Sequence, residues 1–176
     1  VFFSELVASG REVNKDPTLG FDRGYAAIDA LLPGSRKPTA TEPSPYDGDL
    51  GLAFSRIYTL GGGDISILVP GGLVNVGLAV PPQNLGLNRA PSDLGIVSQG
   101  EGAVRIYSYD DVLVNQSRIF TLLGGDIAIW STAGDIDAGR GAKTSISAPP
   151  PAVKVDSSGR VTLDFAGAVA GSGIRA

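Results

Sequence analysis

Ser55-Arg56-Ile57-Tyr58-Thr59-Leu60-Gly61-Gly62-Gly63-Asp64-Ile65-Ser66-Ile67 returns 62 positions later as Ser117-Arg118-Ile119-Phe120-Thr121-Leu122-Leu123-Gly124-Gly125-Asp126-Ile127-Ala128-Ile129, with ten of thirteen residues identical. The register carries on through Gly72 and Gly134, then Gly77 and Gly139. Self-similarity at a long fixed offset is the mark of stacked structural units. Around the repeat, Asp64–Ile67, Ala103–Tyr107, Asp111–Val114, Asp126–Ile129 and Arg160–Phe165 are runs of four to six residues bounded by Gly, Asn, Asp or Pro. Such runs read as short strands joined by tight turns. Together they predict an all-β chain wound as a parallel β-solenoid. At about 20 residues per turn, 62 residues is three turns. Leu50 to Ala166 then makes five or six rungs, a rod about 25–30 Å long at ~4.8 Å per rung.

The physics of a solenoid assigns the residues. No rung buries its own apolar side chains, so Ile65, Ile67, Val104, Ile106, Val112, Val114, Ile127, Ile129, Ile136, Val161 and Leu163 are expected to point inward and stack. Each contributes about 1.5–3 kcal/mol when fully buried. Gly-Gly-Asp and Ala-Gly-Asp supply corners, where Gly reaches positive φ cheaply and Asp bonds its own backbone. A β-sandwich also shows many short strands, but the repeat and the Gly-Asp-Ile corners at Asp126 and Asp135 favour the solenoid. The fixed Leu and Asn positions of a leucine-rich repeat are absent.

The first 49 residues have a different texture. Phe2, Phe3, Leu6 and Val7 recur at helical spacing, and Tyr25, Ala26, Ala27, Ile28, Leu31 and Leu32 form a second helical run stopped by Pro33-Gly34. Pro33, Pro38, Pro43 and Pro45 then mark an extended loop. The division expected is 1–49, a short N-terminal helical segment with a Pro-rich loop, and 50–176, the solenoid. The helices either cap an end, where strand edges need cover, or lie against one flank.

Composition removes whole classes of function. With no Cys, there is no disulfide or thiolate; with no His, the usual proton shuttle and the Ser-His-Asp triad are gone. Fourteen basic against eighteen acidic residues, in no long block, give little for nucleic acid to hold. Apolar runs such as Ile65–Pro70 fall far short of the roughly 20 residues of a membrane helix, so neither nucleic-acid binding nor membrane insertion is expected. The absence of Met and of a signal segment before Ser4 suggests a processed product or an excised fragment.

The wording of the repeats resembles a known family. Tyr58-Thr59-Leu60-Gly61-Gly62-Gly63-Asp64-Ile65, Val69-Pro70-Gly71-Gly72-Leu73-Val74-Asn75-Val76-Gly77-Leu78 and the long phrase Gly124–Pro151 closely resemble the C-terminal-region domain of filamentous-haemagglutinin proteins, as do Phe2–Leu6 and Gly171–Arg175. The resemblance implies a large secreted exoprotein, exported by two-partner secretion through an outer-membrane partner and folded as a right-handed parallel β-helix at the bacterial cell surface. The role implied is structural and adhesive, a stalk or display surface for a glycan or protein on a host or neighbouring cell. It carries over no catalytic residue and no cofactor. Calcium is not expected, because the tandem Gly-Gly-x-Gly-x-Asp of calcium-binding solenoids is not repeated.

Two sets of residues remain as candidate sites. Tyr107, Tyr109 and Trp130, with Tyr58 and Phe120, offer a stacking stripe for sugars, since an aromatic face combines apolar area with hydrogen-bonding capacity. The alternation places Tyr107 and Tyr109 opposite Ile106, outside. Against this stands packing on the helical segment or a neighbouring module, the commoner fate of such rings. Asp135 with Asp137, and Asp110 with Asp111, are the carboxylates from which a carbohydrate-cleaving β-helix would draw its acid pair; the bland reading makes Asp64, Asp126 and Asp135 corners and the others solvated. Arg56 and Arg118 are expected to form surface pairs with Asp on adjacent rungs, worth under about 1 kcal/mol. Asn115-Gln116-Ser117 matches a glycosylation acceptor by pattern alone, and Pro149-Pro150-Pro151 reads as a rigid exit from the rod. No catalytic or metal-binding residue is expected.

Overall fold

The computed structural model describes residues 1–36, 39, 41–79, 94–139, 152–155, 158–164 and 171–176. Helix α1 (Phe2–Lys15) carries Glu5 in its first turn and Lys15 in its last, matching the helix dipole. It stops before Asp16 and Pro17, where the Asp16 carboxylate accepts the Thr18 amide at 3.0 Å and starts a single 3-10 turn, Pro17–Leu19. Helix α2 (Asp22–Leu31) ends ahead of Pro33. Arg23 ties the two together from the exposed side, donating to Glu5 at 2.7 Å and also to Glu12.

Among the described residues eleven short strands then form three parallel sheets. One holds β1 (Leu50–Gly51), β4 (Val74–Asn75), β7 (Val112–Leu113) and β10 (Ile136–Asp137), in that order. A second holds β2 (Arg56–Thr59), β5 (Gly95–Ser98) and β8 (Arg118–Thr121), joined on the far side of β8 by β13 (Gly173–Arg175). A third holds β3 (Ile65–Val69), β6 (Val104–Ser108) and β9 (Ile127–Ser131). The chain visits the sheets in rotation, first, second, third, so each circuit adds one strand to each sheet. This course is consistent with a β-solenoid.

Register explains the core. Ile57, Ile96, Ile119 and Ile174 stack across the second sheet. Ile65, Val104 and Ile127, and beside them Ile67, Ile106 and Ile129, stack across the third. Val74 and Val112 continue the first sheet's column beneath Ile136. The middle members are wholly buried, whereas Ile136 at the last rung is 45% exposed because nothing described lies above it. The corners are glycine-built as expected: Gly62, Gly63, Gly124 and Gly125 all have φ near +100°.

Three expectations need correction. Ile57 pairs with Ile96, and Ile96 with Ile119, so the 62-residue repeat spans two circuits, not three. One circuit is long, because Val74 and Gly95 lie far apart in sequence while Val112 and Arg118 are six residues apart. The described sheets therefore reach four rungs instead of five or six. Val161 does not point into the core: β11 (Ala152–Val155) and β12 (Val161–Asp164) pair antiparallel, and Val161 is 61% exposed. Arg118 is not a surface residue either. It is buried, donates to the Tyr58 hydroxyl at 2.6 Å, and lies near the Tyr58 and Phe120 rings. Pro149-Pro150-Pro151 and Pro38 lie outside the described residues.

Candidate functional site

Strand alternation turns Ile106 inward and Tyr107 outward, but outward here does not mean exposed. Tyr107 is fully buried, and Phe2 of α1 meets it edge to face with ring centroids 5.6 Å apart. Trp130, its neighbour one rung on, is held edge to face by Phe21 at 5.4 Å and Tyr25 at 6.0 Å. Leu6, Ile28 and Leu32 complete the cluster. The outer face of the third sheet is thus an aromatic bed for the helix pair, which covers the flank and not the end. Tyr109 is partly exposed and is held through its backbone, its N–H donating to Val69 and its carbonyl accepting from Ala133.

One glycine makes the fit possible. Gly24 lies inside α2, where Gly is a poor helix former; a Cβ there would fall 2.5 Å from Cη2 of Trp130. The indole nitrogen of Trp130 is buried with no hydrogen-bond partner among the described residues, and apolar and edge contacts hold the ring. Arg36 finishes the helical layer, forking onto Asp29 at 3.0 and 2.7 Å with its guanidinium 4.3 Å from the Tyr25 ring centroid. The bond to Asp29 raises the Arg36 pKa further.

The carboxylates do structural work that the sequence reading missed. Asp49 accepts the Leu73 amide at 2.9 Å, Asp64 the Ala103 amide at 2.9 Å, and Asp111 the Asp135 amide at 2.8 Å. Each of these Asp residues directly precedes a strand, and each captures the amide of the equivalent residue one rung above. They bond across rungs, not within their own turn. The signal was present in sequence as Asp followed by an apolar residue at five strand starts of the first and third sheets: Asp49-Leu50, Asp64-Ile65, Asp111-Val112, Asp126-Ile127 and Asp135-Ile136. The Ala103 N–H, and then Arg105, hold the Asp64 carboxyl below the usual carboxylate range.

None of the four carboxylates considered for hydrolysis lines either of the two clefts found beside α1. Asp111 and Asp135 are joined by the rung clamp, Asp137 accepts the Gly139 amide at 3.0 Å, and the Asp110 backbone carbonyl takes the Ser108 and Ser131 hydroxyls. Among the described residues no three acidic side chains gather to hold a metal ion. Two clefts, of about 430 and 310 Å³, lie between α1 and β9. Phe3, Val7 and Ala128 line both; Arg105 and Asp126 stand in the larger and Trp130 in the smaller.

Where the chain lengthens is also ordered. From the second sheet to the third, Arg56 to Ile65, Gly95 to Val104 and Arg118 to Ile127 are each nine residues. From the first sheet to the second, the interval is six residues at Leu50 to Arg56 and at Val112 to Arg118, but 21 at Val74 to Gly95 and 37 at Ile136 to Gly173. Both insertions leave from the same corner, two rungs apart, and the second contains the β11–β12 hairpin with Val153, Val155 and Val161 exposed.

Residues 124–176 match the family described as filamentous haemagglutinin family outer membrane protein. The matched part contains the long phrase from Gly124 and the closing Gly171–Arg175, while Phe2–Leu6, Tyr58–Ile65 and Val69–Leu78 lie outside it. The match supports an adhesin-like surface exoprotein. No curated protein and no solved structure matches the chain. Among the described residues no helix is long and apolar enough to cross a membrane.

Proposed function

We propose that the chain is a stalk and display segment of a secreted bacterial surface adhesin of the filamentous-haemagglutinin type. In this reading residues 50–176 form a right-handed parallel β-helix, and residues 1–49 a helical cover with its Pro-rich loop. The parent protein is exported by two-partner secretion through an outer-membrane partner and meets a glycan or protein on a host or neighbouring cell. The observation that carries the display role is the placement of both insertions at one corner. In stacked repeats, insertions collect on one side, and that side is often the binding face. The scaffold needs no chemistry of its own, and no cofactor enters.

This reading moves contact with a partner away from Tyr107, buried beneath the helices, and from Trp130, held by Phe21 and Tyr25, and leaves Tyr109, which is partly exposed and outside that cluster. Shortening Val74–Gly95, or Ile136–Gly173, to the six-residue corner used at Val112–Arg118 tests it in a cell-adhesion assay and on a glycan array. The expected result is that at least one shortened chain loses about tenfold in adhesion, or ~1.4 kcal/mol, while keeping its strand spectrum. Adhesion that is undiminished in both shortened chains overturns the display role.

A further inference from the structure

The larger cleft, of about 430 Å³, runs over the outer face of the third sheet: Arg105, one of its lining residues, stands on β6, which is paired along both edges. Small side chains on the two facing walls make the space. Ser4 and Ala8 line it from α1, and on the sheet Ala128 follows Ser66 and Arg105 in the outward column. Packed protein elements leave few gaps of this size, and the volume falls among those of small-molecule sites, about 300–1,000 Å³.

The charges in the cleft narrow what it can take. Arg11, Glu12, Lys15, Arg105 and Asp126 all stand in it. Two of them are engaged: Glu12 accepts from Arg23, and Arg105 donates to Asp64. Arg11, Lys15 and Asp126 are exposed and have no hydrogen bond or ion pair through their side chains among the described residues. Two cations and one acid leave a net charge of +1 uncommitted, in a chain of net charge −4. Arg11 and Lys15 are one turn apart on the same helix face, while Phe3, Val7 and Ala8 give the first half of α1 an apolar surface.

A polyanion fits poorly, because Asp126 repels it, and a cation fits poorly against Arg11 and Lys15. A ligand with one negative charge, several hydroxyls and an apolar side suits all three kinds of wall. The Arg fork matches a carboxylate, an ionised Asp accepts hydroxyls, and an aromatic ring takes the apolar side of a sugar. Resting on the adhesin reading for the choice of a glycan, we propose that this cleft is a binding site for a carboxylated sugar residue. Arg11 and Lys15 hold its carboxylate, Asp126 accepts its hydroxyls, and Phe3 and Val7 carry its apolar side. The site belongs to the third sheet, whereas the two insertions leave between the first and the second.

The probe is methyl glucuronide, titrated into the isotope-labelled chain and followed by amide chemical shifts. The expected result is movement at Ala8, Arg11 and Ala128 with a Kd of about 1 mM, and none in β5. Arg11→Gln combined with Lys15→Gln weakens binding at least about tenfold. Ala8→Leu, which fills the cleft without touching its charge, weakens it as much; Gln and Leu are both good helix formers, and helical circular dichroism checks that α1 is intact. Asp126→Ala separates a sugar from a bare anion: it weakens binding about fivefold if the carboxylate accepts hydroxyls, and tightens it if the carboxylate only repels. No shift at a tenfold excess over that Kd overturns the proposal. So does unchanged affinity in either α1 variant, or tighter binding by Asp126→Ala. Equal binding of methyl glucoside, or of glucose 6-sulfate, overturns the choice of a carboxylate. Free sugar is read here with both insertions at full length, and the display role is read by shortening them, so the two failures are separate results.

Discussion

Gly24→Ala sets two principles against each other. In an open helix, Ala is better than Gly by about 0.8–1 kcal/mol, so the substitution would stabilise α2. In this fold the new methyl falls 2.5 Å from Cη2 of Trp130, with Cζ2 and Cζ3 both at 3.1 Å, against the 3.5–4.0 Å at which carbon atoms attract. The indole is wedged between Phe21 and Tyr25, and α2 is packed along α1 and tied to it by Arg23, so neither side yields freely. Overpacking of this kind costs about 1–3 kcal/mol, and subtracting the helix gain leaves a net loss of about 0–2 kcal/mol. Urea denaturation followed by Trp130 fluorescence and by helical circular dichroism reads it. Trp130→Ala removes the obstacle, so in that background Gly24→Ala returns to a gain near 1 kcal/mol, and the double-mutant cycle gives a coupling of about 1–3 kcal/mol. A stabilising Gly24→Ala in the native chain, or a coupling indistinguishable from zero, refutes the docking of α2 on the third sheet.

Two further outcomes follow from the rung contacts. The Asp64 pKa is depressed, so its contribution is present above the unfolded value near 4 and falls away as pH drops through the lower folded value. Asp64→Asn is expected to lower the urea midpoint at pH 7, where the charge facing the Ala103 N–H and Arg105 is lost, and to converge with the native chain as pH falls below about 4, so that this part of the profile flattens. Gly102→Ala drives its methyl into the Gly63 carbonyl at 2.2 Å, a backbone obstacle with no rotamer to escape by; a loss of about 3 kcal/mol or more is expected, measured by thermal melting. The open position Gly61 is the control.

The residues that could be read without coordinates are those whose role depends on near neighbours. The alternation of Ile65 and Ile67, the helix stop at Pro33, and the positive φ of the Gly-Gly-Asp corners are local, and the structure carries them as expected, whereas Gly134 of the Ala-Gly-Asp corner has no positive φ. The rung count was misread because 62 residues divides into three short circuits or into one short and one long. Only the pairing of Ile57 with Ile96 distinguishes these, and Gly95–Ser98 does not repeat the Ser55–Ile67 wording. Tyr107 and Trp130 were assigned to the correct face, yet period-two alternation says nothing of what lies against that face. Gly24 was the one local hint of a large ring pressed on α2. The aspartates were read as turn residues because an isolated Gly-Gly-Asp corner has no rung above it to bond.

The two kinds of corner also describe how such a rod can be rewritten. Between the second and third sheets, glycine backbones lie on one another at carbonyl distance, and an added residue has nowhere to go. At the other corner, lengthening a connection from six to 37 residues costs about 1.6 kcal/mol in closure entropy, because the penalty grows only with the logarithm of length. Foreign sequence, whether acquired by descent or grafted as an epitope, is therefore admitted at one edge of the molecule and refused at the other, and copies spaced by rungs present it as a regular array.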